Sequence, residues 1–172
     1  MANKSKTDDE YSQLTSALGY ALSRWALVED AIGHVFGMMV VGTGNRFPAK
    51  AAMDAVINFN TKLSMTQAAA QWSLRPDELK AWTTLRNRLS DRAKSRNELA
   101  HFAIVESEPP EPTGRRFSLS PHVGDLDALV AFEGRPPLYD HHQIRAKGES
   151  FAKLAGDLDR FAGQLLNARS AA

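Results

Sequence analysis

Residues 82–106 read WTTLRNRLSDRAKSRNELAHFAIVE, and this stretch contains the change of pattern that decides the fold. Its first part repeats apolar residues every three to four positions, at Trp82, Leu85, Leu89 and Ala93. That spacing is typical of one face of an α-helix. After residue 101 the pattern changes to a period of two, which indicates a β-strand. The stretch therefore predicts a helix that ends near residue 101 and is followed by a strand.

Helical patterns extend to both sides of this stretch. Apolar spacing predicts four helices, over residues of about 8–41, 48–72, 76–101 and 140–169. Thr7 and Glu10 form a capping-box pattern at the start of the first helix. Pro48 suits the first turn of the second, and Asp140 with Gln143 predicts a capping box at the start of the last.

The segment before the last helix, residues of about 102–139, has no helical period. It predicts two strands, Phe102–Glu106 and Arg115–Leu119, joined by a proline-rich connection, and a third short strand over Ala128–Phe132. No internal repeat or domain boundary is evident. We therefore predict one mostly α domain over residues 1–172, a four-helix bundle with a small β-hairpin insertion before the last helix.

The composition is that of an ordinary globular chain, with 43% hydrophobic and 24% charged residues. Cysteine is absent, which excludes disulfides, thiolate metal sites and cysteine nucleophiles. The N-terminus has no apolar segment typical of a secretory signal, and the longest apolar run, about eight residues, is far shorter than the about 20 that cross a bilayer. The sequence predicts a soluble, cytoplasmic protein with no membrane contact.

The charges nearly balance overall, with 21 Lys and Arg against 20 Asp and Glu, but the third helix is locally basic. A net charge of +1 argues against a surface that binds nucleic acid everywhere. Four basic residues of this helix are candidate RNA contacts: Arg86, Arg88, Arg92 and Lys94. Arg88 and Arg92 are a like-charge i,i+4 pair, which favours an external anion. A solvated helix face explains the same residues equally well.

Polar residues at the end of the third helix fall on or beside its apolar stripe. With Trp82 at zero, Arg96 lies at about 320°, Asn97 at about 60° and His101 at about 100°. Glu29 likewise falls near the apolar stripe of the first helix. Because a lone buried charge is costly, we predict that Glu29 contacts Arg96 or Asn97. Such a pair can also serve only to fix the register of two helices.

The segment Arg96-Asn97-Glu98-Leu99-Ala100-His101 resembles the signature of the HEPN superfamily, in which Arg, a polar residue and a short spacer precede His near the end of a late helix. Residues 25–29, Trp-Ala-Leu-Val-Glu, look like the aromatic-then-acid element of small bacterial members. The resemblance covers the predicted helical frame and implies a helical bundle, whereas the insertion has no counterpart.

Many members of this superfamily are metal-independent ribonucleases, often toxins, whose site forms across a homodimer, and others are inactive binding or scaffold modules. The resemblance implies that His101 is an acid/base, that Arg96 and Asn97 bind and orient the phosphate, and that Glu29 supports them. An imidazole with a pKa of about 6.5 and a planar guanidinium suit these roles. The resemblance further implies an RNA substrate, a homodimer, an antitoxin or regulatory protein partner, and no cofactor.

Two other classes stay open. In the first, the chain is an inactive helical module that binds a protein or RNA, and Arg96, Asn97 and Glu29 have structural roles. In the second, it is an unrelated four-helix protein. The pair His141 and His142 predicts no metal site, because successive helix residues point about 100° apart. The sequence also lacks a P-loop and a Gly-x-Ser-x-Gly serine motif.

Overall fold

The computed structural model describes residues 2–107, 115–121 and 137–170, with side chains from residue 8 onward, and these residues are mostly helical. Their elements in chain order are α1 (Ala2–Val41), α2 (Phe47–Asp54), α3 (Phe59–Ser73), α4 (Pro76–His101), β1 (Ala103–Glu106), β2 (Phe117–Ser120) and α5 (His141–Ser170). A mostly α chain with a small antiparallel strand pair before the last helix is thereby confirmed. Among these elements, no helix has the length and apolarity of a membrane span.

Helix α1 begins earlier than its sequence pattern predicts and ends where a glycine stops it. It is continuous from Ala2, so the Thr7 pattern lies inside the helix and does not mark its start. At the other end, Gly42 has a φ of 69°, a left-handed conformation that favours glycine. Its N–H donates to the Met38 carbonyl at 3.1 Å, which closes the last turn.

The predicted second helix is two helices, α2 and α3, and the single long helix is wrong. Asn58 lies between them in an extended conformation, and its Oδ1 accepts a hydrogen bond from the Thr61 N–H at 3.0 Å. An asparagine side chain that caps a new helix competes with continuation of the preceding one. The break therefore has a local cause that the apolar spacing does not reveal.

Helices α4 and α5 start where the sequence predicts. At α4, Glu78 accepts a hydrogen bond from the Arg75 N–H at 2.9 Å. At α5, Asp140 Oδ1 accepts from the Gln143 N–H at 2.7 Å, and Gln143 Oε1 accepts from the Asp140 N–H at 2.9 Å. This reciprocal capping box fixes the first turn of α5, as predicted.

The insertion contains an antiparallel pair in which Ala103 lies opposite Ser120 and Glu106 opposite Phe117. Strand β1 starts one residue later than predicted and ends at the predicted residue, whereas β2 starts two residues and ends one residue later than predicted. Tyr139 adds a bridge, since its N–H and carbonyl exchange hydrogen bonds of 2.9 Å with Leu119. The predicted third strand, residues 128–132, lies outside the described residues.

Two compact units make up the chain, and no change of composition marks them in the sequence. The first unit comprises residues 1–23 and 94–149. Among its described residues, the buried apolar ones are Leu14, Ala17, Ala21, Leu99, Leu119 and Ile144. Within it, α1 and α5 approach closely, because a Cβ added to Gly148 would lie 2.9 Å from the Ala21 Cα. Glycine is therefore the residue that permits this contact.

The second unit comprises residues 24–93 and 150–172 and has an aromatic core. The Trp25 ring lies edge-on to Phe59 at 4.8 Å and to Phe151 at 5.3 Å between ring centres. Trp82 is fully buried and stacks on Phe161 at 6.3 Å. Such aromatic contacts supply much apolar burial per residue.

Candidate functional site

The predicted Arg96, Asn97 and His101 lie in the last turns of α4, in the first unit. Asn97 and His101 are exposed, whereas Arg96 is half-buried. The helix ends directly after His101, where the Phe102 N–H donates to the Glu98 carbonyl at 2.9 Å. An imidazole at a helix C-terminus experiences the negative end of the helix dipole. The local structure thus leaves both the amide and the imidazole open to a ligand.

The Arg96 guanidinium is incompletely bonded. Its Nη1 donates to Asn97 Oδ1 at 3.3 Å. Its Nε is buried and has no hydrogen-bond partner among the described residues. A buried donor without an acceptor costs about 1–3 kcal/mol. The Arg96 Nε therefore lacks a hydrogen-bond acceptor among the described residues and would be stabilised by one.

Helix geometry limits what a single copy can bring together. Asn97 and His101 are four residues apart and share one side of α4. Arg96 lies about 140° around the helix from His101, so the two side chains leave the backbone in different directions. Within one copy, the guanidinium and the imidazole therefore start from different sides of α4.

A second polar cluster fixes the same turn of α4, and the sequence alone does not reveal it. Glu98 Oε2 accepts hydrogen bonds from Tyr139 Oη at 2.9 Å and from Lys147 Nζ at 3.1 Å. Lys147 Nζ also lies 4.4 Å from the Tyr139 ring centre, and that ring stacks on Phe102. These partners are 41 and 49 residues from Glu98 in sequence, so no short-range pattern connects them.

The phenol of this cluster stays protonated at neutral pH. Burial and the Glu98 carboxylate raise the pKa of Tyr139 to about 12. Burial disfavours the phenolate, and the neighbouring negative charge disfavours it further. Tyr139 therefore acts as a hydrogen-bond donor that holds Glu98, which is a positioning role rather than an acid/base role.

Glu29 belongs to the second unit, where it has two partners that differ from those predicted. Trp25 Nε1 donates to Glu29 Oε1 at 2.7 Å, and Lys62 Nζ lies 3.4 Å from Glu29 Oε2. Lys62 is almost fully buried. A contact of Glu29 with Arg96 or Asn97 stays a prediction. The sequence signal that could have indicated this pair is the position of Lys62 on the buried face of α3, where a charge needs a counter-ion.

The four candidate RNA contacts differ in their surroundings. Arg86 and Arg92 are exposed, and so is Lys94. Arg88 instead lies 2.6 Å from Asp157. Burial raises the pKa of the Asp157 carboxyl, but the hydrogen bonds and charges of Arg88 and Arg160 together outweigh burial and hold that pKa below its ordinary value. Arg88 thus has an internal counter-ion, so its like-charge pair with Arg92 does not by itself require an external anion.

The histidine pair at the start of α5 follows Asp140, which forms an ion pair with Arg115. The rings of His141 and His142 are 3.9 Å apart between centres. Asp140, which precedes them, caps α5 and lies 2.7 Å from Arg115. In residues 2–107, 115–121 and 137–170, no three His, Asp or Glu side chains are grouped so that they could hold a metal ion.

Comparison with known proteins adds no relative. No family model, no curated protein and no solved structure matches this chain. A functional interpretation therefore depends on the chemistry of the α4 end itself.

Proposed function

We propose that this protein is a HEPN-like, metal-independent endoribonuclease that acts as a homodimer. One observation carries the proposal: the exposed Asn97 and His101 share the last turns of α4 with Arg96, whose buried Nε has no acceptor among the described residues. A guanidinium with unused donors suits an oxyanion, and an exposed imidazole suits proton transfer near neutral pH. These are the two groups that RNA cleavage without a metal needs.

The proposed reaction is a transesterification within the RNA chain. His101 accepts the proton of the ribose 2′-OH, and the 2′-oxygen attacks the adjacent phosphorus. The bond to the 5′-oxygen of the next nucleotide breaks, and that oxygen takes a proton from a protonated His101. The products are a 2′,3′-cyclic phosphate and a free 5′-OH. Arg96 stabilises the charge that develops on the non-bridging oxygens.

A homodimer supplies what one copy lacks. Two copies related by a two-fold axis present two His101 side chains, so one can act as base and the other as acid. They also present two Arg96 side chains toward one phosphate. The Glu98, Tyr139 and Lys147 cluster supports this arrangement, because it fixes the α4 turn that carries the motif.

The proposed RNA contacts follow from the same chemistry, whereas the proposed cellular role and partner follow from the HEPN resemblance. Arg86 and Arg92 are exposed cations on α4 and can contact the RNA backbone. We place the enzyme in the cytoplasm, as the toxic or defence component of a system in which an antitoxin or regulatory protein controls it.

The decisive experiment is RNA cleavage in the presence of EDTA. We expect the wild-type protein to cleave, and His101→Ala to be slower by about 10²–10⁴-fold, the usual contribution of a general acid/base. His142→Ala is the matched control, since it also removes an exposed imidazole, and it should cleave like the wild type. The cleaved ends should carry a 2′,3′-cyclic phosphate.

Two outcomes would contradict the assignment: full activity of His101→Ala, or products with a 5′-phosphate. Arg96→Lys tests the phosphate contact, because lysine keeps the charge but loses the planar donors. We expect it to lose most of the activity while circular dichroism stays unchanged.

A binding module is the second candidate, and a different observation favours it. Three large apolar side chains of the second unit are strongly exposed: Phe47 at 81%, Ile57 at 97% and Trp72 at 92%. A contiguous exposed apolar patch is typical of a surface that binds a protein partner, and these side chains would supply the apolar contacts of such a surface. A folded protein that binds RNA or a partner, and cleaves no RNA under any of these conditions, would establish this alternative.

A further inference from the structure

A cavity of about 390 Å³ lies within the second unit, and no residue of the proposed ribonuclease motif lines it. Its walls come from the later part of α1, the segment that leads into α2, and α5. Gly33, Gly44 and Gly163 line it, and a Cβ added to Gly163 would meet no atom within 4 Å. Small-molecule sites usually measure about 300–1,000 Å³, so this one suits a small ligand.

Two cations line the cavity, and only one is neutralised by described residues. Lys50 Nζ lies 2.8 Å from both Asp30 and Asp54. Arg46 is half-buried, and its Nη1 contacts the uncharged Met38 Sδ. No carboxylate in the described part of the chain pairs with Arg46. The guanidinium thus presents a positive charge that a carboxylate can match in a bidentate manner.

The wall formed by α5 carries the opposite charge. Asp159 lines the cavity, and its side chain is 60% exposed. Its ion-pair partner among the described residues is the His34 imidazole at 4.0 Å, which is charged only when protonated. The Asp159 carboxylate is therefore available to an ammonium group.

Apolar surface completes the cavity. Phe47 is 81% exposed although it is aromatic, and it lines the cavity together with Leu166 and Ala162. A ligand that covers Phe47 would gain the free energy of burying an aromatic ring.

We propose that this cavity binds a free α-amino acid with an apolar or aromatic side chain. The ligand carboxylate pairs with Arg46, its ammonium group with Asp159, and its side chain packs on Phe47 and Leu166. A lone anion would leave Asp159 unmatched, and a lone cation would leave Arg46 unmatched. A zwitterion matches both, which is the reason for choosing this class. The inference is independent of the proposed ribonuclease activity.

Isothermal titration calorimetry of the full chain with L-phenylalanine, L-leucine and L-tryptophan tests the proposal. We expect saturable binding of at least one of them. Two analogues of phenylalanine separate the charges: 3-phenylpropionate lacks the ammonium group, and phenethylamine lacks the carboxylate. Each of these two analogues should bind the protein at least tenfold more weakly than L-phenylalanine does. No saturable binding of any of the three amino acids at millimolar concentration would overturn the proposal, and so would equal binding of the analogues.

A matched pair of glycine variants in α5 tests the location. A Cβ added to Gly163 or to Gly156 meets no atom within 4 Å, so both accept a side chain without strain. Gly163 lines the cavity, whereas Gly156 does not. We expect Gly163→Leu to reduce affinity at least tenfold and Gly156→Leu to leave it unchanged.

Charge variants keep the location testable even if Gly163→Leu fails to fold. Arg46→Met and Asp159→Asn remove one charge each with little change of volume, and each should weaken binding at least tenfold. Unchanged affinity in both charge variants would overturn the site, whatever the ribonuclease assay shows.

Discussion

Two groups of polar residues in this protein contain a charge that the sequence places on or beside an apolar helix stripe. They differ in whether the described residues supply hydrogen-bond partners for that charge. The Glu29 cluster consists of Trp25, Glu29 and Lys62, and its carboxylate has a donor on each oxygen. The Arg96 segment ends in exposed Asn97 and His101, and the Arg96 Nε is buried without a described acceptor. A satisfied cluster stabilises the fold, whereas the Arg96 segment leaves a buried donor unsatisfied and exposes an amide and an imidazole that an external ligand can reach.

The largest expected loss of stability comes from breaking the Glu29 cluster. Lys62→Ala should lower the free energy of unfolding by about 3 kcal/mol, near the lower end for a buried ion pair that loses one partner. The lower end applies because the Glu29 side chain is 30% exposed and that of Lys62 is 7% exposed. Urea denaturation measures the change. Glu149→Ala is the control, since its pair with Arg145 is exposed on both sides and contributes little.

A close backbone contact stabilises the unit that carries the Arg96 segment. Gly148→Ala places a Cβ 2.9 Å from the Ala21 Cα, so we expect a loss of about 1–3 kcal/mol of unfolding free energy. Gly156→Ala on the same helix meets nothing and should stabilise by about 0.5–1 kcal/mol through helix propensity. Equal effects of both substitutions in thermal denaturation would contradict the close contact.

Acid should destabilise through the ion pairs of the second unit. The pKa of Asp157 is lowered from 3.8 in the folded state, so its contribution is present above that value and is lost as pH falls through the folded pKa. Asp157→Asn removes this titrating group. We expect the unfolding free energy of this variant to fall less than that of the wild type as the pH decreases below 3.8, as measured by urea titrations across that range.

Alkali should destabilise through the cluster beside the Arg96 segment. The pKa of Tyr139 is raised from 10.0 to about 12, so its contribution is present below pH 10 and is lost as the pH rises from 10 toward 12. Tyr139→Phe should flatten that part of the stability curve. Tyr11→Phe, which alters an exposed ring, should leave the curve as it is in the wild type.

The smallest expected effect concerns Arg96 itself. Arg96→Met should change the free energy of unfolding by less than about 0.5 kcal/mol or increase it, because the substitution removes a buried donor that has no acceptor. RNA cleavage by this variant should nevertheless be lost. A loss of stability comparable to that of Lys62→Ala would mean that Arg96 is structural and would remove the contrast between the two clusters.

The boundaries that were predicted well are those set by neighbouring residues. The start of α5 follows from the reciprocal bonds of Asp140 and Gln143, which lie three positions apart. The boundary between α2 and α3 was missed even though its cause is local, because apolar spacing continues across Asn58 while the side chain caps a new helix. The apolar spacing favours one continuous helix, whereas the Asn58 side chain favours a new helix start, and the spacing alone does not show the second preference.

The sequence by itself determined the helical frame, the strand pair before the last helix and the position of the Arg96 segment at a helix end, because periodicity and caps act over a few residues. Only the tertiary structure decided which oppositely charged side chains form ion pairs. Lys62 reaches Glu29 across 33 residues, Asp157 reaches Arg88 across 69, and Lys147 reaches Glu98 across 49. Such contacts depend on how helices pack, and no short-range pattern encodes which charges then meet.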